Sequence, residues 1–414
     1  MNTILQLIKE RSVLCEKADL LSNLFGKEVQ NVLSGNKPVV LYGAGSAGQE
    51  LLPLLSIHGV SPACFCDKKH STNNAKVSGL SVISFQKLCD EHKNSLICIS
   101  TGKYAEEVKR DLLQNGFQDE NIICIHERQL FFYTNVHQWY WTDAELSEKQ
   151  ANMQLAYDLL SDVKSKEVFV DRVSCFSSGT DYNLYRSFVE THADLKYSLA
   201  NTHSEIDISM HESTFYFRND VLELADKEIL VDGGGYTGDS VQEFLTLMNG
   251  ESLEYKKIYT FEPDPENFKK LVINLSDYPN IEKHNLGLWD DEARINFLSS
   301  ATIESVGGQI DAGCKIDIEN GDIGIDTTSI DKCCVDGGVS FIKLDVEGAE
   351  IKALIGAKST IRKNKPKFAI SAYHKRDDIF EILLQINEIC PDYKFYLRHY
   401  SNNFLDTILF AIPK

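Results

Sequence analysis

A chain of 414 residues is too long for one ordinary core and asks for two domains, or two and a connector, and its 43% hydrophobic and 25% charged residues are the proportions of a globular protein. A formal charge of −19, from 42 basic against 61 acidic side chains, repels phosphate backbones and anionic lipid, which excludes nucleic acid as a partner. No run approaches the roughly 18 continuous apolar residues of a membrane span, and Lys9, Glu10, Arg11 and Glu16 interrupt the N-terminal apolar positions, unlike a signal peptide, so a cytoplasmic location is expected.

In that compartment the eleven cysteines read as reduced thiols. Cys64 with Cys66 and the adjacent Cys333 and Cys334 lack zinc-ligand spacing, and no metal is predicted.

Residues 38–125 alternate apolar strands (PVVLY, ACFCD, LICIS, IICI) with helical stretches (QELLPLLSIHG, KYAEEVKRDLLQNG). Repeated βαβ units force a parallel sheet with right-handed crossovers, so residues 1–130 are expected to form a small Rossmann-like domain. Gly43, Gly45 and Gly48 make a GxGxxG between a strand and a helix, and Asp67 ends the next strand, 19 residues after Gly48. These four residues formally complete a dinucleotide fingerprint and mark a candidate second nucleotide site. The domain is short and carries no hydride-transfer constellation, which leaves open a sugar nucleotide, NAD, or a fold kept without a ligand.

From 131 to 225 the strand pattern fades. Leu146, Met153, Leu155, Tyr157, Leu159 and Leu160 recur at loosely helical spacing and predict a helical connector. Its aromatic residues Phe131, Phe132, Tyr133, Trp139, Tyr140 and Trp141 read as packing.

Residues 226–414 alternate again: EILVD, a helix through SVQEFLTLM, IYTFE, IEKHNLGL, RINFL, IGIDTTSI, SFIKLD, a helix through EIKALIGAKSTI, FAISAY, a helix through DDIFEILLQIN, then YKFYLRHY and TILFAI. The polar turn SNNFLD suits an antiparallel hairpin. The fold class is therefore α/β: two Rossmann-like doubly wound domains joined by a helical connector, the C-terminal one a class I methyltransferase fold ending in that hairpin.

In VDGGGYTGDS the acid Asp232 closes an apolar strand, and Gly233, Gly234 and Gly235 let backbone amides approach a ligand without a Cβ in the way. A carboxylate is the expected guest at the start of the next helix, which Asp239 or Ser240 can cap and whose buried face is Val241, Phe244, Leu245 and Met248. In S-adenosyl-L-methionine that guest would be the methionine end, with Asp232 taking its ammonium directly or through water. Glu262, followed by Pro263, ends the second strand and is placed to accept both ribose hydroxyls. NAD is disfavoured here because the loop begins with an acid and lacks GxGxxG. The string FIKLDVEGAE puts Asp345 at a strand end with Glu347 and Glu350 just beyond, and SAYHKRDD puts His374 at the neighbouring end. Carboxylates beside a histidine suit deprotonation of a hydroxyl, with His374 or Asp345 as the base. Asp345, Glu347 and His374 would ligate a divalent ion only where they converge.

In this order and spacing VDGGGYTGDS, FEPDPENF, FIKLDVEGAE and KPKFAISAYH resemble the FkbM family of S-adenosylmethionine-dependent methyltransferases, which mostly methylate hydroxyls on sugars, glycans and natural products. The resemblance implies that Asp232, Gly234 and Gly238 belong to the first motif, Glu262 to the ribose and Asp345 to the methyl group. Tyr236 departs from the general pattern, which has a glycine there. In the N-terminal part GAGSAGQE, ACFCDKK and SGLSVISFQKL resemble the N-terminal domain of bacterial amino-sugar N-acetyltransferases, which implies a sugar nucleotide. Two rival functions stand beside methylation of a small-molecule or glycan acceptor: a nucleotide-sugar-binding scaffold with an inactive methyltransferase domain, and an NAD-dependent enzyme using the N-terminal loop.

Overall fold

The computed structural model describes residues 3–13, 20–68, 76–100, 104–125, 140–177, 182–194, 214–298, 315–316, 323–334, 338–401 and 405–414. Phe131, Phe132, Tyr133 and Trp139, and Asn402 to Phe404 in the SNNFLD turn, lie outside them. The chain divides into two compact units, one of 12–141 with 174–186, the other of 1–11, 142–173 and 187–414.

The first unit is built on β1 (Val39–Tyr42), β2 (Cys64–Cys66), β3 (Lys76–Val77), β4 (Leu80–Ile83), β5 (Leu96–Ile99) and β6 (Ile122–Cys124), in the order β3-β4-β2-β1-β5-β6. β1, β2, β4, β5 and β6 pair in parallel and only β3 is antiparallel to its neighbour. Residues of β1, β2 and β5 are buried throughout, as continuous apolar runs covered on both faces must be. The strand order reverses at β1, where Gly43 leaves the sheet at φ 113°. A Cβ on Gly48 would lie 2.0 Å from the Gly43 carbonyl oxygen, so this glycine lets the helix Ser46–Ile57 pack against its own strand end. Gly45 precedes that helix as its N-cap, and Asp67 accepts the Ala44 amide at 3.0 Å.

The second unit carries β7 (Glu228–Gly233), β8 (Tyr255–Phe261), β9 (Ile281–His284), β10 (Gly287–Leu288), β11 (Arg294–Leu298), β12 (Lys315–Ile316), β13 (Ile323–Thr328), β14 (Phe341–Leu344), β15 (Lys367–Ser371), β16 (Tyr393–His399) and β17 (Thr407–Pro413). Seven of them form the main sheet in the order β16-β17-β15-β14-β7-β8-β9. Five are parallel, and β17 runs antiparallel between β15 and β16, an order that fits a methyltransferase fold. RINFL and IGIDTT, read from the sequence as part of one alternating series, instead pair antiparallel in a separate four-stranded sheet, β10-β13-β11-β12. The alternating exposure along β13 is the mark of a strand with one wet face, and Arg294 with Asp326 bridges that face at 2.8 Å.

Helices Asp143–Leu159, Val163–Ser177 and Tyr182–His192 lie between 131 and 225, and the helical spacing read at 146–160 falls on the first of them. Thr142 and Glu145 start the first of them with a capping box. Leu146, Met153 and Leu160 are buried, whereas Leu155 is exposed. Residues 160–165 and 193–194 lie along the edge strand β16, where the Ser161 amide donates to the Phe395 carbonyl and the Asp194 amide to that of His399, both at 2.9 Å. They satisfy backbone groups that an open edge would expose. No described helix is long and apolar enough to cross a membrane.

Candidate active site

The parallel register of the main sheet aligns Lys343 of β14 with Asp232 of β7, and Asp232 with Thr260 of β8. Residues in register on adjacent strands face the same side of the sheet, so these three side chains meet. Asp232 is fully buried; it accepts from Thr260 Oγ1 at 2.7 Å and from Ser240 Oγ at 3.0 Å, and lies 3.2 Å from Lys343 Nζ. Lys343, 2% exposed, also donates to the carbonyls of Gly233 at 3.2 Å and Gly234 at 2.7 Å. Burial opposes the charge on Lys343, but Asp232, Asp345 and Asp239 outweigh it and raise its pKa. The ammonium that meets Asp232 in the fold is the protein's own, that of Lys343. A lone charge inside the apolar run FIKL was the available signal, since a buried lysine needs a buried acid.

The glycines serve the same packing. A Cβ on Gly233 would lie 2.8 Å from Leu288, one on Gly234 1.8 Å from the Asp345 carbonyl oxygen, and one on Gly235 2.3 Å from Thr260 Oγ1. Gly234 and Gly238 also take φ of 77° and 91°. The amides of Gly234 and Gly235 go to the Phe261 carbonyl, that of Tyr236 to Glu262 Oε2 and that of Gly238 to the Gly235 carbonyl. The loop thus approaches protein more closely than the ligand-cradle reading requires. Tyr236 stands at φ 44°, left-handed backbone that explains why a glycine is usual at its position. The helix Asp239–Gly250 begins from Gly238 with no side-chain cap. Asp239 and Ser240, read as capping residues, lie inside the first turn, and the Ser240 hydroxyl is spent on Asp232.

Glu262, 5% exposed, accepts the Tyr236 amide on one oxygen and the Asp264 amide on the other, both at 2.8 Å. Burial pushes its carboxyl up to about 8 against those two bonds. Asp264 caps the helix Pro265–Asn274, while Asn285 Nδ2 donates to the carbonyls of Glu262 at 2.9 Å and Pro263 at 3.0 Å. These contacts set the strand end as one rigid corner.

At the ends of β14 and β15 the structure brings Asp345, Glu347, Glu350 and His374 together. Asp345 accepts from Tyr216 Oη at 3.0 Å and Tyr373 Oη at 3.1 Å, with His374 Nε2 at 3.3 Å. Burial works to raise its pKa, but His374 and Lys343 prevail and lower it. Glu347 Oε2 lies 3.6 Å from the same Nε2, and the other ring nitrogen, Nδ1, is 2.9 Å from Glu350 Oε1. Burial would lower the imidazole pKa; Glu350, Glu347 and Asp345 together hold it well above the usual histidine range. Both ring nitrogens of His374 thus face carboxylates, an arrangement that favours the protonated ring. A protonated ring has no lone pair with which to take a proton, so a role for His374 as the base requires the neutral ring. Glu350, placed by the sequence toward the acceptor, is wholly buried beneath the histidine. Among the described residues no group of three His, Cys, Asp or Glu side chains is arranged to hold a metal ion.

Tyr216 escaped the sequence reading because it sits in a short 3-10 turn, Thr214–Tyr216, without periodicity. Its hydroxyl bridges Asp345 and Ser371 Oγ, 3.0 Å from each, and its ring lies 5.3 Å from Lys343 Nζ. The segment after His374 is pinned by the helix Asp143–Leu159, through Arg376 to Glu145 at 2.5 Å and Lys149 to Asp377 at 2.6 Å.

Residues 232–402 match the family model described as the Methyltransferase FkbM domain. No protein of curated function matches the chain. Among solved structures, a methyltransferase FkbM from Methylobacillus flagellatus KT is similar over 99% of this chain and 98% of its own, at 20% identity and a TM-score of 0.63, a likeness of fold. Aeropyrum pernix fibrillarin with bound S-adenosyl-L-methionine aligns with 46% of this chain and 70% of its own at 11% identity and a TM-score of 0.28. A putative methyltransferase from Streptococcus mutans in complex with SAH aligns with 46% of this chain and 91% of its own at 13% identity and a TM-score of 0.26. The family match spans the site from Asp232 to His374, and the fold match extends over the whole chain.

Proposed function

We propose that the chain is an S-adenosyl-L-methionine-dependent methyltransferase that transfers the methyl group to a hydroxyl of a sugar, glycan or natural-product acceptor. The observation that carries the reading is the convergence at adjoining strand ends of the Gly233–Gly238 loop, Glu262 and the Asp345–Glu347–His374 cluster, inside the segment that matches a methyltransferase family.

The residues fit the donor. The helix Asp239–Gly250 starts without a side-chain cap and suits the carboxylate of an amino acid, with Asp239 in its first turn beside the ammonium. Glu262 and Pro263 would hold the ribose side: once ionised, each Glu262 oxygen has a second lone pair beyond its backbone partner for a ribose hydroxyl. Gly233, Gly234, Gly235, Tyr236 and Gly238 shape the wall between, and Asp232 holds that wall through Lys343. When bound, the donor supplies a methyl group already made electrophilic by its sulfonium charge. Asp345 then orients the acceptor hydroxyl, and Glu347, whose side chain is 32% exposed, accepts the proton on its carboxylate. Asp345 is the weaker base of the two because two tyrosine hydroxyls and an imidazolium stabilise its charge.

The test is calorimetry with the donor followed by methyl transfer to a panel of sugars and glycans. Wild type binds the donor, and Asp345→Asn still binds but loses turnover. Absence of donor binding by folded wild type would sink the reading. A sugar nucleotide at Gly43, Gly45, Gly48 and Asp67 is a separate proposal; mass spectrometry of ligands that copurify with the protein tests it, and NAD would appear there instead if the dinucleotide reading were right.

A further inference from the structure

We propose that Glu350 and His374 form a buried positioning pair, in which Glu350 locks the ring and the 346–348 turn together and the ring holds the Asp345 and Glu347 carboxylates toward the acceptor. The inference rests on the methyl-transfer reading for its purpose, but its geometry stands independently.

Three contacts converge on one oxygen. Glu350 Oε1 accepts from His374 Nδ1 at 2.9 Å, from the Val346 amide at 3.1 Å and from the Gly348 amide at 3.4 Å. The turn so tied is a strained one, with Glu347 at φ 55° and Gly348 at φ 90°. A non-glycine residue holds left-handed backbone only where its surroundings over-determine it, at a cost of ~1–3 kcal/mol. Lys375 Nζ adds a bond to the Gly348 carbonyl from the strand side.

The charges explain why a cation must sit at the centre. Asp345 and Glu347 face the ring from the end of β14, Glu350 faces it from the helix Glu350–Ile355 and Asp378 from the helix Asp378–Ile389. Burial and the nearby Glu350 push the Asp378 carboxyl up to about 7, the response of acids crowded in a dry place. The Tyr373 ring lies against His374 at 4.4 Å, Tyr216 donates to Asp345, and the charge of Lys343 also acts on Asp345. With a neutral ring, Asp345 and Glu347 would repel each other and Glu347 would turn into solvent. His374 is therefore a positioning residue for two carboxylates, and Glu350 for His374.

The experiment is a pH titration of the His374 imidazole by NMR in protein labelled at histidine carbons, the resonance assigned by its contacts with the Tyr373 ring. The wild-type ring is expected to stay protonated well past the ordinary histidine midpoint of ~6.5. In Glu350→Gln, which keeps an oxygen for the two amides, it titrates at least about tenfold more readily, a fall of about one pH unit. The kcat of that variant then declines over the same pH range while its donor Kd is unchanged. A wild-type ring that titrates near the ordinary midpoint overturns the proposal, whether or not Glu350→Gln folds. So does a folded Glu350→Gln with an unmoved ring midpoint, or one whose loss is all in donor binding. Absence of turnover with every acceptor, alongside a protonated wild-type ring, would refute the methyl-transfer reading and leave the pair standing.

Discussion

Replacing Lys343 by Met leaves Asp232 as a buried carboxylate without its cation. Both partners are almost wholly out of water, 3.2 Å apart, and Lys343 also holds the Gly233 and Gly234 carbonyls. Removing one member of such a buried pair costs ~3–5 kcal/mol. The loss should appear as amide exchange faster by roughly 100- to 5000-fold in β7 and β14, since each 1.4 kcal/mol is a factor of ten. Hydrogen exchange is the right assay because it reads this unit separately from the N-terminal one. The double variant Asp232→Asn, Lys343→Met removes both charges and should be more stable than the sum of the single losses by ~2–3 kcal/mol. A single-variant loss below ~1 kcal/mol, or strict additivity in the cycle, would refute the claim that this pair organises the loop.

Gly234→Ala would drive a Cβ to 1.8 Å from the Asp345 carbonyl oxygen at a left-handed position, so a stability loss of ~2 kcal/mol or more is expected in a melt, with loss of donor binding by calorimetry. Because Glu262 keeps its proton to about pH 8 in the fold against 4.5 when unfolded, its contribution is complete below 4.5 and lost as pH rises to about 8. Urea midpoints should therefore fall across that window in wild type and fall less in Glu262→Gln; identical pH slopes would contradict the assignment. Tyr216→Phe removes the hydroxyl that joins Asp345 to Ser371 and should cost ~1–2 kcal/mol and lower kcat with little change in donor Kd. Tyr236→Gly, by contrast, relieves left-handed strain and should leave stability equal or slightly higher in the same melts.

What the sequence made legible was the part set by periodicity and glycine. Buried parallel strands such as VVLY and EILVD read as apolar runs, and the face Val241, Phe244, Leu245 and Met248 of the helix after the loop is buried as its spacing requires. What it hid was the partner of each polar group. Whether Asp232 turned to a ligand or to Lys343 depended on strand register, which sits in pairing across the sheet and in no local motif. His374 reads as a base because a histidine at a strand end has a mid-range pKa; only the fold brings Glu350, 24 residues away in sequence, to its other nitrogen. RINFL and IGIDTT carried strand propensity without saying which sheet they would join.

The most direct test is a structure of the protein with S-adenosylhomocysteine. The account predicts the ribose hydroxyls on the Glu262 carboxylate, the amino-acid carboxylate at the start of the helix Asp239–Gly250, and the sulfur on the side of Asp345. Density for the compound elsewhere, or a pocket at Glu262 that excludes it in crystals soaked to saturation, would contradict the central claim.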